Sequence, residues 1–278
     1  CPVIITVNKP TEYVCCTSLK YAKVKSISLD EYELKNPKPT EEPPQIPLAP
    51  GSQLESKIVS GSPATPGEFP FAVAILESGD NFAVLSAAHC FDQFTSAKVR
   101  QLVIKIGDHD ITRTGEIQHQ DAHVSKLFLH PGFFRTKGYF RDDVALVKLR
   151  NPVSSASNIM AVSLHNGSPN INQGLVETVV AGWGKTCSGN CRQSTVLLKT
   201  KIQVISNSEC GQKYSGTQAP PITQNMVCAS GRSSADACNG DSVHNRRWPL
   251  IIYSGGLAQQ IGIVSWGIGC GQYPGVYT

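Results

Sequence analysis

Three residues of this 278-residue chain have side chains that could act together in nucleophilic chemistry. His89 lies in the segment LSAAHCF, Asp143 in RDDVALVKL and Ser242 in DACNGDS. A serine hydroxyl is a poor nucleophile at neutral pH, so it needs a base within hydrogen-bond reach. Histidine suits that role because its unperturbed pKa is about 6.5. A buried aspartate can then fix the imidazole tautomer and stabilise the imidazolium that forms.

Each of these residues also has a plainer interpretation when it is taken alone. His89 could be structural, Asp143 a carboxylate at a strand edge, and Ser242 an ordinary turn serine. Together, in the order His, Asp, Ser, their segments resemble the three catalytic motifs of the trypsin and chymotrypsin family of serine proteases. Three separate matches in one chain make coincidence a poor explanation. The resemblance covers residues 58–278.

The resemblance implies catalytic roles for His89, Asp143 and Ser242. Asp142 is the weaker candidate, because the family's catalytic carboxylate immediately precedes the VAL-type run. The backbone N–H groups of Gly240 and Ser242 match the two positions that stabilise the oxyanion during acyl transfer.

The resemblance also implies a substrate pocket. Asp236, six residues before Ser242, matches the position at the base of the family's specificity pocket, and Gly267 and Gly275 match its walls. A buried carboxylate at the end of a deep slot favours a cationic partner, which predicts Arg or Lys at the cleavage site. The plainer alternative is that Asp236 is an acid in a surface loop.

The segment ESKIVSG (residues 55–61) resembles the family's activation site. Cleavage after Lys57 would free Ile58 as a new N-terminus, and its ammonium would pair with Asp241. The uncut chain would then be a zymogen. Ser60 stands where the family usually has glycine.

Short apolar runs separated by turn signals are the elements that must position these residues. They indicate a β-barrel or sandwich, with no long helical periodicity: FPFAVAIL, NFAVLSAA, QLVIKIG, VSKLFL, VALVKL, ETVVAGWG, KTKIQVIS, PLIIY and QIGIVSWG. The resemblance makes this expectation specific. It implies an all-β fold of two antiparallel six-stranded β-barrels, incomplete at one strand and at the C-terminal helix.

Composition changes sharply near residue 57, which predicts three parts. Residues 1–34 contain three cysteines and are interpreted as a propeptide that resembles the tail of a clip-type regulatory domain. Residues 35–57 form a proline-rich linker, with six prolines within residues 37–52, that ends at the activation site. Residues 58–278 are the trypsin-like protease domain.

The ten cysteines indicate disulfides in an oxidising compartment. A zinc site is the poorer interpretation, because no His or Cys partners stand at metal-ligand spacing. By resemblance, Cys210 would pair with Cys228, and Cys238 with Cys270. Cys90 would lack its usual partner. The pairing of the other cysteines stays open, with a local bridge across SGN as one option: Cys1, Cys15, Cys16, Cys187 and Cys191.

The sequence departs from the family in three places. ILESGD runs almost straight into NFAVLSAAHC, so a strand bearing Cys-Gly-Gly-Ser is absent. Residues 243–248 (VHNRRW) replace the usual Gly-Gly step after Ser242, and the sequence ends at GVYT before the family's C-terminal helix. A spliced-out segment, a faulty gene model and a degenerate homologue would each account for these departures.

The composition narrows the range of partners. A formal charge of +4 without a Lys/Arg run argues against nucleic acid, and no apolar stretch is long enough to span a bilayer. We expect no cofactor and no metal. The loop 108–116 matches where some family members bind calcium, but its acids have the wrong spacing, so a solvated loop is expected. The remaining histidines are interpreted as surface or turn residues: His109, His119, His123, His130, His165 and His244.

The sequence therefore predicts a secreted, extracellular serine endopeptidase zymogen that performs limited proteolysis after Arg or Lys. Its expected partners are a protein substrate, an upstream activating protease and a protease inhibitor. One alternative is a catalytically impaired homologue that acts as a binding or regulatory partner, which the altered loop after Ser242 favours. A structural or adhesive secreted domain is a further alternative, although it leaves the triad unexplained.

Overall fold

The computed structural model describes most of the chain after residue 61. The described residues are 62–72, 75–78, 81–113, 115–136, 139–166, 171, 176–184, 194–231, 249–254, 256–268 and 273–278, with 75–78, 81 and 82 described by their backbone only. The expected propeptide and linker, residues 1–34 and 35–57, lie outside it.

Strands dominate the described residues, and the helices are short. The strands are β1 (Ser62–Pro63), β2 (Ile75–Ser78), β3 (Asn81–Ser86), β4 (Val103–Ile106), β5 (Gln120–Leu129), β6 (Phe134–Arg135), β7 (Phe140–Arg141), β8 (Ala145–Leu149), β9 (Ser163–Leu164), β10 (Glu177–Gly182), β11 (Leu198–Ile205), β12 (Val227–Ser230), β13 (Pro249–Ser254), β14 (Leu257–Trp266) and β15 (Gly275–Tyr277). The helical segments are a 3₁₀ turn at Ala88–Cys90, α1 (Ser96–Arg100) and α2 (Asn207–Lys213).

The N-terminal half forms a curled five-stranded sheet in the order β2-β3-β8-β5-β4, with antiparallel neighbours. Along β8, every second residue is buried, as the period of two in a strand requires. Val147 and Leu149 therefore face the inside of the curl, where they join Val84, Val124 and Leu127 in one apolar core. This core supports the end of β8 from which the candidate aspartate projects.

The C-terminal half closes into a barrel. Six strands pair in the order β11-β10-β13-β14-β15-β12, and β12 pairs back onto β11. Its interior is filled by aliphatic residues such as Leu198, Ile202, Val204 and Leu250, all of them buried. Closure satisfies the strand edges that an open sheet would expose. The all-β, trypsin-like fold expected from the sequence is confirmed, with one closed six-stranded barrel and one curled five-stranded sheet.

One disulfide lies within the described residues. Cys210 of α2 and Cys228 of β12 are joined with an Sγ–Sγ distance of 1.98 Å, the pair that the family resemblance implied. Cys90 is a buried free thiol, with the Ser86 hydroxyl 3.8 Å from its sulfur. The other expected disulfide, between Cys238 and Cys270, lies outside the described residues.

The part of the chain that the structure describes contains no helix long and apolar enough to cross a membrane.

Candidate active site

Asp143 lies just before β8 and is completely buried, with 0% of its surface exposed. The chain reaches it through a tight turn. Asp142 has a positive φ of 49°, and the Val144 N–H donates to the Asp142 carbonyl at 2.9 Å. The His130 N–H then donates to the Val144 carbonyl at 2.8 Å, which ties the turn to the end of β5.

His89 is brought to Asp143 by strand pairing. It lies in the 3₁₀ turn after β3, and β3 pairs with β8 so that Ser86 stands opposite Ala145. The His89 backbone N–H donates to Asp143 Oδ1 at 2.8 Å, and His89 Nδ1 lies 2.5 Å from Asp143 Oδ2. Because Nδ1 is occupied by the carboxylate, Nε2 is the nitrogen that remains for a reacting group.

Ser265 is a third partner of the carboxylate, and it comes from the closed barrel. It lies on β14, is 7% exposed, and its hydroxyl donates to Asp143 Oδ2 at 2.6 Å. A buried carboxylate is costly unless hydrogen bonds replace its water shell, and three donors do so here. Ser265 was not among the site residues predicted from the sequence, where it stands within an apolar run, QIGIVSWG.

An aromatic ring fixes the plane of the imidazole. Phe140 of β7 stacks on His89 with ring centroids 4.3 Å apart and an angle of 8° between the planes. Phe140 pairs with Arg135 of β6 in a two-stranded ribbon, β6–β7, and the Arg135 guanidinium lies 5.6 Å from the centroid of the Phe140 ring. The ribbon therefore covers one face of the histidine.

Arg135 also holds an acid three residues after His89. Its Nη1 lies 2.8 and 2.6 Å from the two oxygens of Asp92. Burial raises the pKa of Asp92, although the hydrogen bond and charge of Arg135 act in the opposite direction. The surroundings of His89 thus contain two carboxylates, Asp143 and Asp92, each held by its own donors.

Sequence comparison identifies the family. The family model named Trypsin matches residues 58–278. The chain belongs to the trypsin family of serine proteases.

Three relatives illustrate this membership. Trypsin alpha of Drosophila melanogaster is 32% identical over 237 residues, which cover 81% of this chain and 84% of that protein. Clotting factor G beta subunit of Tachypleus tridentatus is 29% identical over 248 residues, 80% of this chain and 76% of that protein. Vitamin K-dependent protein C of Rattus norvegicus is 28% identical over 245 residues, 81% of this chain and 50% of that protein. The chain therefore spans about half the length of protein C.

The two glycines expected at the pocket walls flank the pairing of β14 with β15. Gly267 directly follows β14 and Gly275 begins β15, and β14 pairs with β15 through Trp266 and Val276. Gly275 is buried, and an added Cβ would lie 3.2 Å from the Tyr277 ring. A side chain at this position would therefore crowd the end of the barrel.

Several residues proposed from the sequence lie outside the described residues. They are the candidate nucleophile, its oxyanion donor, the acid at the pocket base, the activation residues and one disulfide: Ser242, Gly240, Asp236, Lys57, Ile58, Asp241, Cys238 and Cys270.

The loop 108–116 is solvated over most of its described length: residues 108–110 are buried, whereas residues 111–113, 115 and 116 are exposed. Asp108 and Asp110 are each 7% exposed, and His109 is 6% exposed with Glu116 3.5 Å from its Nε2. His109 was expected to be a surface or turn residue; it lies in the loop after β4 but is buried there, and its carbonyl accepts hydrogen bonds from Trp183 Nε1 and the Leu197 N–H. No group of three His, Cys, Asp or Glu side chains among the described residues could hold a metal ion.

Proposed function

We propose that this chain is the zymogen of a serine endopeptidase that cleaves protein substrates after Arg or Lys. The observation that carries the proposal is the buried Asp143, which accepts hydrogen bonds from His89 and Ser265. This arrangement leaves His89 Nε2 as the free nitrogen, which is the condition for a base that acts on a serine hydroxyl.

In the proposed reaction, Ser242 Oγ attacks the scissile carbonyl while its proton passes to His89 Nε2. Asp143 stabilises the imidazolium, and the backbone N–H groups of Gly240 and Ser242 stabilise the oxyanion. His89 then gives the proton to the leaving amine as the peptide C–N bond breaks. Water then attacks the carbonyl of the acyl-enzyme while His89 Nε2 takes its proton. His89 returns this proton to Ser242 Oγ as the acyl–oxygen bond breaks, which releases the second product and regenerates Ser242.

The proposed specificity depends on Asp236. The resemblance of Gly267 and Gly275 to the family's pocket-wall positions supports it, because these two residues flank the paired end of β14 and β15 and neither adds a side chain there. A carboxylate at the base of such a slot would select a guanidinium or an ammonium. Asp236→Ser should then remove the preference for Arg and Lys while leaving the His89–Asp143 pair intact.

The proposed control is proteolytic. An upstream protease would cut after Lys57, and the new N-terminus at Ile58 would pair with Asp241 and order the oxyanion hole. Residues 1–34 would act as a cysteine-containing propeptide and residues 35–57 as the linker. The match to a clotting factor subunit supports a role in an extracellular cascade, where a protease inhibitor would be a further partner.

The alternative function is a catalytically impaired homologue that binds or regulates a partner. The specific observation for it is the sequence VHNRRW, residues 243–248, directly after Ser242. A β-branched Val243 does not easily adopt positive φ, so it replaces a flexible step beside the nucleophile with a stiff one. A displaced Ser242 would leave a folded protease domain with little turnover.

The test is active-site labelling of the cleaved chain. Purified protein cut after Lys57 should incorporate an Arg-based organophosphonate at Ser242, and peptide mass spectrometry would locate the adduct. The uncut chain, Ser242→Ala and His89→Ala should incorporate none. Labelling that is absent from a folded, correctly cut chain would favour the impaired homologue, and replacement of residues 243–248 by Gly-Gly should then restore it.

A further inference from the structure

The backbone immediately before Asp143 has a conformation that needs support. Asp142 lies in the left-handed region, with φ of 49°, where residues other than glycine are uncommon. Because Val144 N–H donates to the Asp142 carbonyl, the chain reverses direction around Asp143. Such local strain persists only where the surrounding structure holds it. The direction in which the Asp143 side chain leaves the backbone therefore depends on what holds this turn.

The side chain of Asp142 is held by the closed barrel. Asn225 Nδ2 donates to Asp142 Oδ1 at 2.6 Å, and the Asp142 side chain is only 14% exposed. Its other oxygen faces Gly132, where an added Cβ would lie 2.8 Å away, and Arg141 Nε is 3.6 Å from it. The carboxylate is thus enclosed on one side by the N-terminal half and on the other by an amide of the closed barrel.

Asn225 is itself fixed in place. It lies in a turn in which the Met226 N–H donates to the Thr223 carbonyl at 3.1 Å. The side-chain amide of Asn207, the first residue of α2, donates to the carbonyls of both Thr223 and Met226 at 2.9 Å. The disulfide between α2 and β12 closes the same unit. Asn225 therefore presents its amide from a braced turn rather than from a free loop.

We propose that Asp142 and Asn225 are positioning residues that hold the Asp143–His89 pair in register. The hydrogen bond between them fixes the turn at residues 142–144, and the turn aims Asp143 at His89. We call this hydrogen bond, together with the turn it fixes, the clamp. Its effect on catalysis rests on the function proposed above, whereas its effect on the positions of Asp143 and His89 does not depend on that function. A displacement of about 1 Å at a reacting group can lower the rate by about 100-fold, so loss of the clamp could lower the catalytic rate substantially.

Three substitutions separate the hydrogen bond from the backbone conformation. Asn225→Ala removes the donor. Asp142→Gly removes the acceptor but keeps the positive φ, which glycine adopts readily. Asp142→Asn keeps both, because its amide oxygen can accept the same bond and asparagine tolerates the left-handed region. Asn151→Ala, at an exposed asparagine in the loop after β8, is the matched control for loss of an amide.

The measurement is made on the full chain cut after Lys57. The proton on His89 Nδ1 should give a low-field, slowly exchanging NMR resonance that is absent in His89→Ala. Asn225→Ala and Asp142→Gly should weaken or shift this resonance, and Asp142→Asn should rescue it. On an Arg substrate, the first two variants should lower kcat by up to about 100-fold with little change in KM, because the substrate pocket is untouched.

The outcomes distinguish the clamp from the proposed function. A resonance unchanged in Asn225→Ala and Asp142→Gly, with kcat also unchanged, would overturn the clamp. The expected resonance pattern in a chain without turnover would support the clamp while rejecting the enzymatic function. If Asn225→Ala fails to fold, Asp142→Gly decides alone, because it leaves the turn around Asn225 intact. A wild-type protein without the resonance would contradict the clamp directly.

Discussion

A carboxylate removed from water needs donors for both of its oxygens, and Asp143 obtains them from two halves of the molecule. His89 supplies two donors from the N-terminal half, and Ser265 supplies one from the closed barrel. The Ser265 contact also restricts rotation of the carboxylate about its last bond. At the scale of the residue, Ser265 therefore replaces part of the water shell that Asp143 loses on burial. It also keeps Asp143 Oδ2 aligned with the imidazole of His89.

Ser265→Ala should destabilise the protein and slow the proposed reaction. Hydrogen bonds to charged groups contribute about 1.5–3 kcal/mol, so we expect the free energy of unfolding to fall by about this amount in urea titrations. The matched control is Thr178→Val, which removes a buried hydroxyl that donates to an uncharged acceptor, the Ile202 carbonyl, at 2.9 Å. Its loss should be nearer 1 kcal/mol. Equal losses in both variants would show that Ser265 is only a packed hydroxyl.

The residues that the sequence identified differ in kind from those it missed. His89 and Asp143 stand in segments that resemble the family's catalytic motifs, and this resemblance anticipated their pairing. Ser265, Phe140 and Asn225 carry no such local signature. Each reaches the site through strand pairing or a turn between distant segments, and no spacing along the chain encodes those contacts.

At the scale of the element, the ribbon β6–β7 acts as a cover over His89. Its two strands are only two residues long, so the ribbon depends on its contacts rather than on its own ladder. Phe140 contributes the stacked ring and Arg135 the link to Asp92. Without the Arg135 side chain, the Asp92 carboxylate would be buried without this hydrogen-bond donor, so the free energy of unfolding should fall.

Arg135→Ala should destabilise the protein increasingly as pH rises. The pKa of Asp92 is raised by burial, so the folded state holds this proton more tightly than the unfolded chain does. The Asp92 carboxyl therefore stabilises the folded state below its ordinary pKa of 3.8. This contribution is lost as the pH rises through the higher pKa that Asp92 has in the folded protein. Without Arg135 to oppose the shift, the loss should grow from about pH 4 to pH 7 and reach about 1–3 kcal/mol.

The control for this pH dependence is an exposed ion pair. Lys201 and Glu177 are 72% and 57% exposed with 2.7 Å between their charged atoms. Lys201→Ala should cost less than about 1 kcal/mol at every pH, because solvent screens the pair. A pH-independent loss in Arg135→Ala would contradict the role of the Asp92 carboxylate.

The disulfide between α2 and β12 should contribute more to stability than the buried thiol of Cys90. It closes a loop of 18 residues, for which the loss of chain entropy in the unfolded state predicts about 3 kcal/mol. The double variant Cys210→Ala/Cys228→Ala should lose this amount in urea unfolding. Cys90→Ala, which removes a free sulfur from the N-terminal core, should lose clearly less. Similar losses would indicate that the disulfide stabilises only by packing.

At the scale of the whole molecule, the two halves are joined by polar and apolar contacts. The His109 carbonyl accepts from Trp183 Nε1 at 2.8 Å and from the Leu197 N–H at 2.9 Å, and Phe71 and Ile251 pack in the same apolar cluster as Trp183. The alternating apolar runs predicted the strands, and the family resemblance predicted the pair of barrels. The contacts between the halves were not predictable, because they join segments far apart in the chain, such as His109 and Trp183, which are 74 positions apart.

Because the site is shared between the halves, we expect them to unfold together. Trp183→Phe removes one hydrogen bond at the junction but keeps an aromatic ring, and His109 retains its bond from Leu197. It should lower the free energy of unfolding by about 1 kcal/mol. Urea unfolding would be followed by alkylation of Cys90, which reports on the N-terminal core, and by the far-ultraviolet circular dichroism of the whole chain.

Both probes should give one midpoint in the wild-type protein, and Trp183→Phe should move both midpoints downward by the same amount. Coincident transitions are the mark of a single cooperative unit. Tyr253→Phe is the matched control, because Tyr253 is 52% exposed on β13 and should leave both midpoints unchanged. Alkylation of Cys90 at a lower urea concentration than the loss of circular dichroism would show that the N-terminal half opens alone. In that case the His89–Asp143 pair would separate from Ser265 before the closed barrel unfolds, and the shared carboxylate could not be what couples the two halves.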